Sequence, residues 1–153
     1  APATGLTMKL ADAGDGRLLI DTHVWLWLAQ GAASKLAPAV QAELEAASQQ
    51  GRLVLSIISV WEVALLHSKG RILLSMPLAL WLERALASSG LTLLPLAQPT
   101  VMVDACTLPG EFHADPADRI LVATARAENA TLVTRDEKIL AYAQAGHVRV
   151  QAI

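Results

Sequence analysis

The stretch Leu18-Leu19-Ile20-Asp21-Thr22-His23 opens the ordered part of the sequence and decides its fold class. Its three apolar residues are typical of a short strand buried on both faces, and the strand ends at an aspartate. Short apolar runs recur at residues 53–55, 91–94, 131–133 and 148–150. Because helix-forming segments separate these runs, we predict a mainly parallel sheet covered by helices on both faces, a three-layer α/β/α sandwich.

Helices are predicted between these runs from helix-forming composition and from residues suited to helix ends. The predicted helices cover, in order, about residues 24–29, 38–49, 59–68, 78–87, 100–108, 116–128 and 136–144. Pro116 suits a first helical turn. Two helix starts, Ser59 with Glu62 and Thr134 with Glu137, match the capping box, in which a glutamate folds back onto the start of its helix.

The bulk composition describes a globular chain without a strong electrostatic preference. Of its 153 residues, 54% are hydrophobic and only 17% are charged, which excludes disorder beyond the ends. The formal net charge of −2 means that nucleic-acid binding would need a specific site rather than bulk attraction. We expect residues 17–153 to form one domain after a flexible N-terminal segment, 1–16, in which Met8 is a candidate natural start.

The sequence also predicts a reducing, cytoplasmic environment. A single cysteine, Cys106, excludes an internal disulfide framework and a cysteine-rich zinc site. No apolar run approaches the roughly 18 to 20 residues needed to cross a bilayer. The N-terminal segment lacks the basic start and the apolar stretch of a signal peptide.

Four acidic residues fall at comparable places in this outline. Asp21 directly follows the first strand, and Asp136 comes three residues after Val133, at a helix start. Glu62 and Asp118 are predicted in the first turns of their helices. In an open α/β sheet the ligand crevice lies outside the carboxyl ends of the strands, so we expect these four carboxylates to converge there.

Each of these acids except Asp21 also has a purely structural explanation. Acidic residues in a first helical turn are favoured by the helix dipole. Asp115, placed before Pro116, is suited to cap the helix that carries Asp118. Asp21 interrupts an apolar context where no cap is clearly required, so it gives the strongest indication of a functional site.

Carboxylates that lie within a few ångströms of one another raise each other's pKa unless a cation neutralises them. All-oxygen ligation suits Mg²⁺ or Mn²⁺, whereas zinc would need histidine or cysteine partners. Such an ion activates water and neutralises charge that develops on a phosphodiester.

At these acids the sequence resembles the PIN-domain family, in particular the VapC toxin ribonucleases of bacterial toxin–antitoxin pairs. The matching segments, in the family's order and spacing, are residues 18–23, 56–64, 69–70, 113–119 and 132–136. Asp-Thr-His alone would be a weak match. Together with Asp115-Pro-Ala-Asp118-Arg and Thr134-Arg-Asp136, the pattern is specific and covers almost the whole chain.

The resemblance implies Mg²⁺- or Mn²⁺-dependent endonucleolytic cleavage of RNA, a VapB-like antitoxin that blocks the site, and commonly a homodimer. It places Asp21, Glu62, Asp118 and Asp136 in the catalytic, metal-binding quartet of the family. Asp21 and Asp118 are the leading candidates for direct metal ligands, while the other two ligate, hold water or orient their neighbours. Thr22 and Thr134 match small hydroxyl positions beside the acids and are assigned, with Arg119, to substrate binding.

Several residues near the predicted site have two interpretations. Arg119 is suited to contact phosphate or to form a structural ion pair with a carboxylate. His23 and His113 fit packing or capping better than zinc or nucleophilic chemistry, because no such motif surrounds them. Trp25 and Trp27 would face different sides of a helix, so we expect at least one of them to be buried rather than stacked on RNA. Basic residues that could flank the crevice are Lys69, Arg71, Arg135 and Lys138.

Two other functions compete with a ribonuclease. A metal-dependent phosphatase of a doubly wound fold also carries aspartates at strand ends, but it would need an Asp-x-Asp pair, and His23 takes the second position. A receiver-like interaction module would bind an ion without catalysis. Under the ribonuclease hypothesis, Asp21→Asn or Asp118→Asn abolishes RNA cleavage and leaves the fold intact.

Overall fold

The structure, a computed structural model, describes residues 14, 16–87 and 90–153. Most of the predicted N-terminal segment, residues 1–13 and 15, lies outside these described residues. Within them the strands are β1 Leu18–Ile20, β2 Leu53–Ser56, β3 Leu91–Leu94, β4 Thr131–Thr134 and β5 Val150–Ala152. The helices are α1 Thr22–Ala29, α2 Pro38–Gln49, α3 Ile57–Ser68, α4 Leu78–Leu86, α5 Pro99–Cys106, α6 Pro116–Glu128 and α7 Glu137–Ala143, with a 3₁₀ turn at Ala33–Lys35.

The strands form one parallel sheet in the order β3-β2-β1-β4-β5. β2 and β3 lie on one side of β1, and β4 and β5 lie on the other side. The chain therefore crosses from one side of β1 to the other between β3 and β4. Ile20 pairs with Leu55 and with Val133, so the central strands end level with one another. The point where the strand order reverses therefore lies between β1 and β4, which is where α/β sheets bind ligands.

Each face of the sheet carries its own hydrophobic core, because neighbouring residues of a strand point to opposite faces. On one face Leu19, Val54 and Leu132 pack with buried residues of α5, α6 and α7. On the other face Ile20 and Val133 pack with buried residues of α1, α2, α3 and α4. The predicted three-layer sandwich is confirmed.

The two predicted capping boxes were wrong. Ser56, not Ser59, caps α3, because its hydroxyl accepts the Ile58 N–H at 3.1 Å. The helix begins two residues earlier than expected, and Glu62 is its sixth residue rather than a first-turn cap partner. No capping box forms at Ser59 as a result.

At α7 the cap is Asp136, whose Oδ1 accepts the Ile139 N–H at 2.9 Å. Thr134 is the last residue of β4, so the capping box predicted for Thr134 and Glu137 was wrong. The last strand also begins two residues later than predicted, at Val150. Among the described helices, none has both the length and the apolar composition that a bilayer span requires.

Candidate active site

All four predicted carboxylates line one pocket of about 430 Å³ at the carboxyl edge of the sheet. Asp21 follows β1 and Asp136 follows β4, whereas Glu62 and Asp118 are carried by α3 and α6. Asp115 lines the same pocket. The level ends of parallel strands thus bring together acids that are far apart in the sequence.

Asp21 is held rigidly at the bottom of this pocket and is only 7% exposed. Its Oδ1 accepts the backbone N–H groups of His23 at 3.0 Å and Val24 at 3.2 Å, so it does cap α1, contrary to the sequence-based interpretation. Its Oδ2 accepts a short hydrogen bond from the Thr134 hydroxyl. Burial raises the pKa of Asp21, and the hydrogen bonds from Thr134 and the backbone oppose that rise.

The buried hydroxyl of Thr134 connects two of the acids. It donates to Asp21 and accepts the Asp136 N–H at 3.0 Å, so one side chain sets the positions of both residues. Its exposed fraction is 0%, so water cannot replace either bond without a rearrangement.

Replacing this threonine by the isosteric valine tests its function. We expect Thr134→Val to lower RNA cleavage by about 10- to 100-fold, as loss of a group that orients metal-binding side chains does. Stability should fall by about 1–3 kcal/mol, because a buried acceptor and donor lose their partner. Cleavage assays and urea unfolding measure the two effects. Thr134→Ser keeps the hydroxyl and serves as the control, and equal activity of the two variants would contradict this function.

Glu62 is positioned by a second hydroxyl pair. The Thr22 hydroxyl lies 2.5 Å from Glu62 Oε1 and 2.9 Å from the buried Ser59 Oγ. Thr22 has one proton, so when it donates to the carboxylate, Ser59 donates to Thr22. Burial, and to a lesser extent the charges of Asp118 and Asp115, raise the pKa of Glu62 to about 7, although the Thr22 hydrogen bond opposes this.

Asp118 lies in the first turn of α6, next to the cap of that helix. Asp115 caps α6 as predicted, since its Oδ2 accepts the Asp118 N–H at 3.0 Å. Burial and the neighbouring charges of Asp115 and Asp136 raise the pKa of Asp118 to about 6. His113 Nε2 lies 2.9 Å from Asp118 Oδ2 and partly offsets that rise.

Oxygen atoms from three carboxylates are close enough to hold one cation. Glu62, Asp115 and Asp118 each offer one oxygen, and these oxygens lie within 4.8 Å of one another. Of the predicted quartet, Glu62 and Asp118 belong to this group of described residues, whereas Asp21 and Asp136 line the same pocket outside it. Oxygen-only donors of this kind fit the coordination preferences of Mg²⁺ and Mn²⁺. Asp115 therefore caps its helix, as predicted, and also contributes an oxygen to this group.

Arg119 points its guanidinium into the protein framework. Its Nε donates to the Ala105 carbonyl at 2.6 Å, and its Nη1 donates to the carbonyls of Phe112 and His113 at 2.9 and 3.1 Å. These bonds tie α6 to α5 and to the loop that carries His113. The structure thus gives Arg119 carbonyl partners in place of the predicted carboxylate partner, and phosphate contact by Arg119 stays a prediction.

The two tryptophans of α1 differ in burial, and one of them lies in the core as expected. Trp25 is 2% exposed and packs against Trp81 with ring centroids 5.1 Å apart, so at least one of the two α1 tryptophans is buried as predicted. Trp27 is half-buried and lines the carboxylate pocket together with Arg135. Trp61 is 52% exposed and is not among the residues that line this pocket.

Sequence reasoning missed two contacts at the site. Ser59 was taken as a cap but supports Thr22, and His113 was assigned to packing but touches Asp118. Both contacts join residues from different segments of the chain, so they depend on how those segments pack against each other. The spacing of residues along the sequence does not reveal this packing. The only hint was that both residues lie in the segments that resemble the PIN family.

Comparison with known proteins gives concordant results. The model of the PIN domain matches residues 18–145. Ribonuclease VapC22 of Mycobacterium tuberculosis is 33% identical over 125 residues, which cover 80% of this chain and 88% of that protein.

Two solved structures share the fold. One is VapBC2 from Rickettsia felis bound to a DNA fragment from its promoter, with 17% identity, a TM-score of 0.63, and coverage of 88% of this chain and 97% of that chain. The other is FitAcB from Neisseria gonorrhoeae, with 23% identity, a TM-score of 0.56, and coverage of 87% and 95%.

Proposed function

Because the chain belongs to the PIN domain family, we propose that it is a metal-dependent endoribonuclease and the toxin of a toxin–antitoxin pair. The observation that carries this proposal is the pocket in which Asp21, Glu62, Asp118 and Asp136 converge from four separate elements. The similarity to Ribonuclease VapC22 over most of both chains supports RNA as the substrate. We assign the activity to one domain, residues 17–153.

The four carboxylates would hold Mg²⁺ or Mn²⁺, with Asp21 and Asp118 as direct ligands. Asp115 is a further candidate, because its oxygen lies in the same group as those of Glu62 and Asp118. When bound, the cation neutralises charge on the phosphodiester and lowers the pKa of a water molecule. Thr134 orients Asp21 and Asp136 for this task, and Thr22 orients Glu62.

Glu62 is suited to take a proton from the attacking water. Its Oε1 accepts the Thr22 hydroxyl, so we assign Oε2 as the oxygen that accepts this proton. Burial and the neighbouring carboxylates raise the pKa of Glu62 to about 7 when no cation is bound, and a bound cation would lower it again, so the assignment of Glu62 as the base rests on its position in the pocket. Thr22 and Thr134 act in this scheme by positioning carboxylates, which refines their predicted function in substrate binding.

The proposed partners follow from the structural relatives. The similar chains occur in complexes named VapBC2 and FitAcB, one of them bound to promoter DNA. We propose a VapB-like antitoxin partner for this chain, a homodimeric toxin, and a cytoplasmic location.

Incubating the purified chain with labelled single-stranded RNA tests the proposed activity. We expect cleavage with Mg²⁺ or Mn²⁺ and none with EDTA, because the carboxylates repel the phosphate when no cation neutralises them. Readdition of Mn²⁺ should restore cleavage. Cleavage that persists in EDTA would overturn the metal dependence. Hydrolysis of a phosphomonoester without RNA cleavage would favour a phosphatase.

A further inference from the structure

Arg135 lies on the rim of the carboxylate pocket, between Thr134 and Asp136 in the sequence. The described residues that line this pocket include five carboxylates and one arginine, which is Arg135. Its side chain is exposed, so it is accessible to a ligand that approaches the pocket.

The Arg135 guanidinium is held in place while one of its nitrogens stays available. Its Nη2 donates to the Lys35 carbonyl at 2.9 Å, and its Nε donates to the Ile153 carbonyl at 3.3 Å. Its central carbon lies 4.7 Å from the centroid of the Trp27 ring, a cation–π distance. Within the described part of the chain, Nη1 donates no hydrogen bond, so this nitrogen is free to bind an anion.

An RNA phosphate needs a positive group on its way into this pocket. The five carboxylates repel a phosphodiester, so a phosphate next to the one that reacts needs a positive group of the protein to offset that repulsion. Arg119 cannot help from its present position, because its guanidinium is bonded to three backbone carbonyls. Arginine is the side chain best suited to bind a neighbouring phosphate through directed N–H groups.

We propose that Arg135, held by Trp27, is the residue that binds the RNA backbone next to the carboxylate pocket. This inference rests on the proposed ribonuclease function and names a substrate-binding residue for it. The ligand is a phosphate of single-stranded RNA adjacent to the one that is cleaved. Arg135 contacts the substrate directly, and Trp27 is a positioning residue that acts through Arg135.

Trp27 has this positioning function because basic groups already surround its ring. Arg135 lies over it, and Lys35 Nζ lies 5.8 Å from the ring centroid. A base that stacked on the ring would compete with these contacts. A guanidinium fixed against an aromatic ring loses less conformational freedom when it binds phosphate than a free side chain does.

The first experiment compares Arg135→Gln with Arg84→Gln on the full chain, with Mn²⁺ and labelled single-stranded RNA. Arg84 is an exposed arginine on α4 and does not line the pocket, so it matches the charge change away from the site. We expect Arg135→Gln to raise KM about five- to tenfold with kcat within about twofold, since the variant loses one exposed, charge-assisted contact that is made equally in the ground state and the transition state. Arg135→Lys should recover part of this loss.

Salt dependence provides a readout that a merely structural defect would not change. Removing one phosphate contact should make the plot of log(kcat/KM) against log[KCl] less steep by about 0.7, the value for one contact to a single strand. Arg84→Gln should leave the slope unchanged. A slope and a KM for Arg135→Gln equal to those of the wild type would overturn the proposal.

A second experiment tests whether Trp27 acts through Arg135. Trp27→Phe keeps an aromatic ring and should behave nearly as the wild type, whereas Trp27→Leu should raise KM about threefold, as loss of a cation–π contact of under 1 kcal/mol does. The double variant Trp27→Leu/Arg135→Gln should match Arg135→Gln alone. Additive effects would overturn the positioning function and indicate direct base stacking. Thermal unfolding checks that Trp27→Leu is folded. If it is not, Trp27→Met replaces it in the same comparison with and without Arg135→Gln.

The outcomes separate this inference from the proposed function. If the wild type does not cleave RNA with either metal, both fail together. If the wild type cleaves RNA and Arg135→Gln cleaves it with the same KM and salt slope, only the function of Arg135 fails.

Discussion

Replacing Asp118 by asparagine is expected to lower RNA cleavage by about 10³-fold, which corresponds to a loss of about 4 kcal/mol of transition-state stabilisation. The amide has nearly the shape of the carboxylate but lacks the charge that would bind a divalent cation. Asp118 is part of the group whose oxygens lie within 4.8 Å, so the loss affects the site directly. Asp21→Asn is expected to have an effect of the same size. Cleavage rates of labelled RNA with saturating Mn²⁺ measure both.

The fold should survive the Asp118 substitution. The cap of α6 is made by Asp115, which accepts the N–H of residue 118 whatever its side chain. Asp104→Asn is a matched control, because Asp104 lies on α5, forms a half-exposed ion pair with Arg126 and does not line the pocket. The wild type, Asp118→Asn and Asp104→Asn should all have the same circular dichroism spectrum. Cleavage by folded Asp118→Asn at the wild-type rate would refute the assignment of the site.

Glu62→Gln is expected to affect activity and stability in opposite directions. Cleavage should fall about 100-fold, the lower range for loss of a general acid–base group. In EDTA, however, the variant should be more stable than the wild type by about 1–2 kcal/mol at pH 8, because it removes a charge that is buried beside other carboxylates. The glutamine oxygen can still accept the Thr22 hydroxyl, so the local structure is kept.

The pH dependence of this stability difference follows from the raised pKa. The pKa of Glu62 is about 7 in the folded protein and about 4.5 in the unfolded chain. As pH rises from 4.5 to 7, the unfolded chain loses this proton while the folded protein keeps it, so this group lowers the free energy of unfolding across that window. Below pH 4.5 both states are protonated, and the advantage of the variant disappears.

Urea unfolding in EDTA at pH 4 and pH 8 measures this difference. Mn²⁺ should then stabilise the wild type at pH 8 and stabilise Glu62→Gln much less, because the stabilisation by a ligand that binds only the folded state grows with the logarithm of its affinity. Glu83→Gln, an exposed change on α4, is the control and should show neither effect. If Glu62→Gln is no more stable than the wild type at pH 8 in EDTA, the ionised Glu62 carboxylate does not destabilise the folded protein, and this prediction is wrong.

The sheet and the convergence of the acids could be predicted because they depend on local patterns. A short apolar run such as Leu18–Ile20 favours a buried strand of a parallel sheet when helix-forming segments separate several such runs, and an acid that directly follows the strand then lies at the carboxyl edge. The helix Pro38–Gln49 was predicted to its observed ends, since Pro38 marks its start and Gly51 follows its end.

The particular partners in the hydrogen bonds that orient the acids could not be predicted. Thr22 and Ser59 are 37 residues apart, and Thr134 and Asp21 are 113 residues apart. Such partners are determined by the distance between packed elements, which a single sequence does not encode in any local spacing. Cap positions failed for a related reason: Ser56 and Ser59 are both acceptable caps, and only the end of β2 decides between them.

The strand order has a consequence for the synthesis of this protein. Thr134 and Asp136, which complete the pocket beside Asp21, belong to the last quarter of the chain, and β4 is the strand that occupies the vacant side of β1. A nascent chain that has exposed Asp21, Glu62 and Asp118 still lacks the strand that holds Asp21 in place. During synthesis from the N-terminus, Asp21, Glu62 and Asp118 are therefore made before the strand that holds Asp21 in place, and the complete pocket can form only after residue 136 has been added.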